Sequence, residues 1–248
     1  MTVVYLFAHF DDEYGVLPLI RQRAEAGVDQ RFIYAADYTS PAMAARRRNE
    51  TQAMMRHLGL DPDHVIHPAT GVVDGRLRFD LPRVFDAIQA SVEGLGEVEN
   101  IVVPAWEGGH PDHEACVQMA VALQSRSQPS AMIEQFSLYH GKGLVGPLFR
   151  ACDPIVENGP VIPVGLSAGA WLDYALSVRF FGSQKKTWAG LWPSMFATFA
   201  LRRGFSYQGL DPKRVHERPH VGPLLYERMY GVAYEDVRRA GETFLESL

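Results

Sequence analysis

The stretch Val3-Val4-Tyr5-Leu6-Phe7-Ala8-His9-Phe10-Asp11-Asp12-Glu13 decides the fold. Val3–Phe7 is too short for a helix and rich in β-forming residues, so it reads as a buried strand. It gives way at once to an imidazole and three carboxylates, and Glu13–Ala26 then has helical composition, with Gly27 as its stop. The pattern repeats outward from there. Further strands are expected over Phe32–Ala36, Val65–Ile66 and Ile101–Val103, and further helices over Ala42–Leu58, Leu81–Val92 and His113–Ser125. Gly59 and Pro62 close the second helix, while Asp80 and Asp112 are the expected N-caps of the third and fourth. Leu81, Val84, Phe85, Ile88 and Val92 share one helical stripe. Alternating strands and helices predict an α/β fold whose mostly parallel sheet is covered on both faces. In such sheets ligands bind beyond the carboxyl ends of the strands.

The second half carries weaker signals. Phe136–Tyr139 reads as a strand, 141–170 as Gly- and Pro-rich loops, and Trp171–Phe181, Ser194–Arg203 and Tyr234–Leu245 as helices. Trp188–Leu201 is 14 residues without a charge, bounded by Lys185-Lys186 and Arg202-Arg203. It reads as a buried helix broken by Pro193; the sharper alternative is an interfacial patch or a groove for a lipid-linked or aromatic substrate. No repeat or linker divides the chain. One domain over 1–248 is expected, with a core over 1–135 and a C-terminal elaboration over 136–248.

Composition narrows the function classes. A net charge of −5 over 248 residues argues against a nonspecific nucleic-acid binder, which needs a basic surface. Two cysteines, Cys116 and Cys152, fit neither a disulfide framework nor a zinc-ligand spacing and read as buried thiols. The first residues lack the basic segment of a signal peptide, and no apolar run is long enough to span a membrane. The expectation is a soluble cytoplasmic protein; a homo-oligomer is compatible with it.

Two strand ends hold the chemistry: His9-Phe10-Asp11-Asp12-Glu13 and Gly108-Gly109-His110-Pro111-Asp112-His113. First and fourth strands are often neighbours in parallel sheets, which would bring the clusters together. Two histidines and one carboxylate can hold Zn²⁺ and leave a position open. A further carboxylate can take a proton from water, and another imidazole can stabilise an oxyanion and protonate a leaving amine. Spacing alone does not decide between Asp11 and Asp12 as the ligand. The acids also suit a helix N-terminus, where the dipole favours negative charge.

Both segments resemble signatures of the LmbE-like, or PIG-L, family of metal-dependent N-deacetylases. The family carries Ala-His-Pro-Asp-Asp-Glu after its first strand and His-Pro-Asp-His after a later one; here stand Ala8-His9-Phe10-Asp11-Asp12-Glu13 and His110-Pro111-Asp112-His113. A third feature, Arg-x-x-Glu on a helix running into Leu-Gly, is matched by Arg47, Glu50, Leu58 and Gly59. The resemblance covers about residues 1–125. It implies a Rossmann-like three-layer sandwich without a nucleotide. It further implies His9, Asp12 and His113 as ligands of Zn²⁺ or another divalent transition metal, Asp11 as general base, and His110 as acid and oxyanion stabiliser tuned by Asp112. Arg47 corresponds to an arginine near the substrate, and Glu13 to a cap or a support for the ligands. The implied reaction is hydrolysis of the N-acetyl group of an N-acetylglucosamine-type amino sugar or glycoconjugate by an activated water. The family's proline is Phe10 here, and Asp37-Tyr38-Thr39-Ser40-Pro41 lacks the expected glycine-rich turn.

Three other readings compete. A metal-dependent amidase acting on another N-acyl linkage of a natural product or sugar conjugate would use the same residues. A noncatalytic sugar-binding member would keep the fold without needing all of them. A nucleotide-dependent oxidoreductase lacks the Gly-x-Gly-x-x-Gly turn, and carboxylates after the first strand would repel a pyrophosphate. His57, His64, His67, His140, His216 and His220 have no motif support and are expected to be structural or on the surface.

Overall fold

A computed structural model describes residues 2–202 and 204–248. Strand β1 (Thr2–Phe7) runs into α1 (Asp12–Glu25), β2 (Asp29–Tyr34) into α2 (Pro41–His57), and β3 (Val65–Ile66) into α3 (Leu81–Glu93). Then come β4 (Val98–Pro104), α4 (Pro111–Arg126) and β5 (Met132–Phe136). These five strands are mutually parallel. The sheet order β3-β2-β1-β4-β5 sends the chain outward in opposite directions from β1 and β4. A crevice opens beyond their carboxyl ends, where ligands bind in this architecture.

Side-chain alternation in β1 explains the layers. Val4, Leu6 and Ala8 face a core built with α3, α4 and, further on, the last helix; Val3, Tyr5 and Phe7 face the opposite core. Every residue of β1 is buried, so it needs apolar side chains on both faces.

The second half differs from the expectation in four places. The span Phe136–Tyr139 is not one strand: β5 ends at Phe136, and Tyr139 belongs to β6 (Tyr139–His140), which pairs with β7 (Arg150–Ala151) in a separate two-stranded sheet. The region expected to be loops contains β8 (Val161–Val164), followed by α5 (Ala168–Ser177). Helix α6 (Lys185–Arg202) runs unbroken through Pro193. Pro193 deprives the Ala189 carbonyl of its helical donor, but Ala189 is exposed, so water can take that acceptor. Nor is α6 buried all round. Trp188, Leu191, Met195 and Phe199 form its buried stripe, while Trp192 and Leu201 are exposed. Arg203, at the expected end of this helix, lies outside the described residues.

Strand β9 (Phe205–Gly209), which the pattern did not reveal, then pairs antiparallel with both β5 and β8 and completes a seven-stranded sheet. Helices α7 (Leu225–Tyr230) and α8 (Tyr234–Glu246) close the chain. Among the described residues no helix is long and apolar enough to cross a membrane. Cys116 and Cys152 are free and buried, as expected.

Helix α8 packs the C-terminal elaboration onto the N-terminal core. Tyr234, Val237, Gly241 and Phe244 form its buried stripe, and Phe244 meets Phe85 of α3 edge to face at 5.3 Å. Phe244→Ala is expected to cost about 3–5 kcal/mol through lost burial and a residual cavity. Denaturant unfolding should show one transition at a lower midpoint. Two separated transitions would show that α8 does not fold with the core.

Candidate active site

Strands β1 and β4 are paired neighbours, so the two strand-end clusters meet. The ring centroids of His9, His110 and His113 lie 5.0–5.5 Å apart, and each ring offers a nitrogen within 4.8 Å of the others. The Asp12 carboxylate stands between His9 and His113: Oδ2 is 3.7 Å from His9 Nδ1, and Oδ1 is 3.3 Å from His113 Nε2. Ligand atoms about 2.1 Å from a tetrahedral ion stand roughly 3.4 Å from one another, so this spacing suits a shared cation. His113 Nε2 is buried without a hydrogen-bond partner, a lone donor atom that a cation would satisfy. The residues present fit a zinc-like ion.

Buried charge is compensated here. Asp12 Oδ2 accepts the backbone N–H groups of Ala8 and His9 at 3.0 and 2.9 Å. Burial alone would raise the Asp12 carboxyl, but the imidazoles of His113 and His9 hold it well below the usual carboxylate range. His9 Nε2 faces Asp74 Oδ1 at 3.1 Å and Asp112 Oδ2 at 3.3 Å. Burial opposes protonation of His9, yet the carboxylates of Asp112, Asp12 and Asp74, as acceptors of its N–H groups, raise its pKa well above the ordinary value. A proton on Nε2 directed at two carboxylates leaves Nδ1 free for a cation, the usual arrangement of a ligating histidine.

Asp112 does not cap α4, as the sequence had implied; His110 does. Its Nδ1 accepts the N–H of Asp112 at 3.2 Å. The Asp112 carboxylate instead accepts from the backbone N–H groups of Gly75 (2.6 Å) and Leu77 (3.2 Å) and contacts His9 rather than His110. The segment 75–77 supplies two donors that a helix cap would have left unmet. With Nδ1 accepting, neutral His110 carries its proton on Nε2, which makes that atom a donor rather than a ligand. Burial, with His9 and His113 adjacent, lowers His110 to about 3.

Asp11 sits before α1 at φ 117°, where an L residue is strained, and its side chain makes no capping hydrogen bond. The simple-cap reading therefore fails for this residue. Glu13 supports the strained position by accepting the Asp11 N–H at 2.9 Å, and it also takes the Thr51 hydroxyl proton. Burial, with Asp12 and Glu13 alongside, raises the Asp11 carboxyl well above its ordinary value. Two glycines shape the opposite wall. Gly108 has φ 76°, and a Cβ on Gly109 would fall 2.1 Å from the Tyr139 carbonyl oxygen. Buried Glu107 fixes that wall by accepting the N–H groups of Leu138 and Tyr139, each at 2.8 Å.

These groups line a pocket of about 280 Å³ that includes His9, Asp11, Asp12, His110 and Arg47. The Arg47 guanidinium stacks 4.7 Å above the Tyr38 ring. Sequence reasoning missed Asp74, Leu138, Tyr139, Gln184, Thr187 and Tyr230 of the lining, while Trp188 and Leu191 fall in the uncharged stretch for which a substrate groove was the alternative. Only Asp74, following the third strand, had a positional signal. A larger groove of about 540 Å³ between α3 and α8 holds none of the expected site residues, so chemistry rather than volume selects the site. His57 and His67 are tied to Asp173 and Asp37, and His140 to the Asp153 carbonyl; all three lie outside the pocket.

No curated protein matches the sequence. Solved structures share the fold at low identity. The zinc-inhibited form of teicoplanin deacetylase Orf2 is 16% identical with a TM-score of 0.63, over 85% of this chain and 97% of that one. N,N'-diacetylchitobiose deacetylase of Pyrococcus horikoshii is 16% identical with a TM-score of 0.54, over 89% and 87%. GalB, the 4-carboxy-2-hydroxymuconate hydratase of Pseudomonas putida, is 13% identical with a TM-score of 0.51, over 84% and 95%. A hydratase among them shows that the fold alone does not choose the reaction. The family described as "PIG-L: GlcNAc-PI de-N-acetylase" matches residues 4–124, the span that carries both strand-end clusters and Arg47. Over that span the chain is similar to the PIG-L, or LmbE-like, family.

Proposed function

We propose that this protein is a metal-dependent N-deacetylase acting on an N-acetylated amino sugar or glycoconjugate. One observation carries the reading: the Asp12 carboxylate stands between the imidazoles of His9 and His113, the His113 Nε2 is buried without a hydrogen bond, and a second carboxylate free of capping duty, Asp11, lines the same pocket as His9 and Asp12. His9, Asp12 and His113 would hold the cation, zinc or another divalent transition metal. When bound, such an ion supplies Lewis-acid polarisation of a carbonyl and makes water ionise near neutral pH.

The chain's own groups do the rest. Asp11, raised in pKa and aimed into the pocket, accepts a proton from the attacking water. His110 presents Nε2–H to the oxyanion that develops as the amide carbon becomes tetrahedral. Since His110 is held neutral, the proton gathered by Asp11 is the one delivered to the departing nitrogen, and acetate and a free amine result. Arg47, held over the Tyr38 ring, offers N–H donors to substrate hydroxyls or an anionic group. Hydrolysis of a different N-acyl linkage would use the same groups, and the apolar side chains of Trp188 and Leu191 in the lining favour keeping that second reading.

Asp11→Asn should keep its metal and lose about 10²–10⁴-fold in kcat, measured as amine release from N-acetylglucosamine derivatives. Parental turnover would remove Asp11 from the base role. His113→Ala should lose the ion after dialysis against trace metal, by elemental analysis, whereas His57→Ala should retain it. A full equivalent of ion in His113→Ala would refute the ligand set. Arg47→Ala should raise KM about tenfold or more with a smaller change in kcat, a charge-assisted hydrogen bond being worth ~1.5–3 kcal/mol. An unchanged KM would take Arg47 out of substrate binding.

A further inference from the structure

The pocket does not end at its aromatic rim. Tyr139, Thr187, Leu191 and Tyr230 line it and also form one side of an adjoining cavity of about 200 Å³. Beyond them stand Phe149, Leu225 and Met229, and no side chain lining this annex carries a charge. The contrast across the shared wall is sharp, since the first compartment holds His9, Asp11, Asp12, Asp74, His110 and Arg47.

We infer that the annex is a substrate subsite for an uncharged apolar substituent, one aromatic ring or a short alkyl chain, carried by the molecule whose amide lies at His9 and Asp11. This rests on the deacetylase reading of the first compartment. Volume sets the size, because an apolar cavity of about 150 Å³ already accepts a benzene-sized ligand. Position sets the occupant. The cavity adjoins the catalytic compartment along Tyr139, Thr187, Leu191 and Tyr230, so one molecule that passes this rim would place a substituent in the annex and keep its polar end among the catalytic groups. The annex also has a reason to be filled: Met229 and Tyr230 are half exposed at 50% and 54%, on a six-residue helix, and a ligand would cover apolar surface that water now meets. Helix α6 contributes both the polar-side Trp188 and the shared Leu191, which gives its uncharged stretch a role in the pocket wall.

Gly190 makes the annex testable. It lines the cavity, and a Cβ added there meets nothing within 4 Å, so Gly190→Leu fills the space and favours the helix. Two ligand pairs separate the sources of the substituent: methyl and phenyl glycosides of N-acetylglucosamine, and N-acetyl- and N-hexanoylglucosamine. Calorimetry on the zinc-loaded protein should show the apolar member binding about tenfold more tightly in at least one pair. Gly190→Leu should abolish that preference while leaving the methyl glycoside unchanged, and Met229→Ala should weaken it. The pair showing the effect identifies the substituent as aglycone or acyl chain. Equal binding within both pairs, no binding by either, or a preference that survives Gly190→Leu overturns the subsite. A preference that Gly190→Leu erases, with no amine released from any compound, upholds the subsite and refutes the deacetylase reading instead.

Discussion

A carboxylate withdrawn from water keeps its charge only where donors and cations replace the water, and Asp12 meets that condition in four directions. Two backbone N–H groups at the end of β1 bind Oδ2, while His9 and His113 stand against the two oxygens. The first three contacts come from the turn after β1, the fourth from α4, so one buried charge links the two strand ends. Removing either imidazole would leave part of that charge unmet, which in a buried site costs more than the contact itself contributes. The pairing of β1 with β4 is what makes the arrangement possible, since it alone sets residues about a hundred positions apart within reach of one carboxylate.

The neighbouring residue shows the opposite outcome. Asp11 has the same burial but no imidazole across from it, and its backbone is held at a positive φ by Glu13. Its carboxyl rises while that of Asp12 falls. Two adjacent acids with divergent pKa values can divide the labour of holding a cation and moving a proton. Asp11 lines the pocket from a strained backbone position and makes no capping hydrogen bond to the helix that follows.

Local patterns told more about the first half than the second for a physical reason. Parallel strands buried on both faces are continuous apolar runs, and Val3–Phe7 and Ile101–Val103 show that directly. Strand β8 lies at the sheet edge with three of its four residues exposed and a proline at 163, so it looks like loop. Strand β9, Phe-Ser-Tyr-Gln-Gly, has no apolar run to betray it. At the site, residues adjacent in sequence to a motif were legible: His9, Asp11, Asp12, His110 and His113 all meet in space. Asp74, Tyr139 and Tyr230 reach the pocket only through tertiary packing, and no local spacing encodes that. Asp112 was legible as important but not in its contacts, because the donors it serves lie on the segment 75–77, far along the chain.

The departure at Phe10 shows how the loop after β1 keeps its shape without the family's proline. Proline would supply a fixed φ and no N–H. Phe10 instead donates its N–H to the Tyr38 hydroxyl at 3.0 Å, and its carbonyl accepts from Gln184 at 2.7 Å. Its ring is fully buried, stacked on Tyr34 with centroids 4.4 Å apart and set edge-on to His67 at 5.2 Å. Rigidity that a pyrrolidine ring would provide covalently is provided here by two hydrogen bonds and aromatic packing. The exchange has a consequence for the pocket: the hydroxyl that takes the Phe10 proton belongs to the ring on which Arg47 rests. Phe10 thus couples the loop that bears Asp11 and Asp12 to the one arginine among the described pocket-lining residues. A proline at this position would hold the loop and leave that connection unmade.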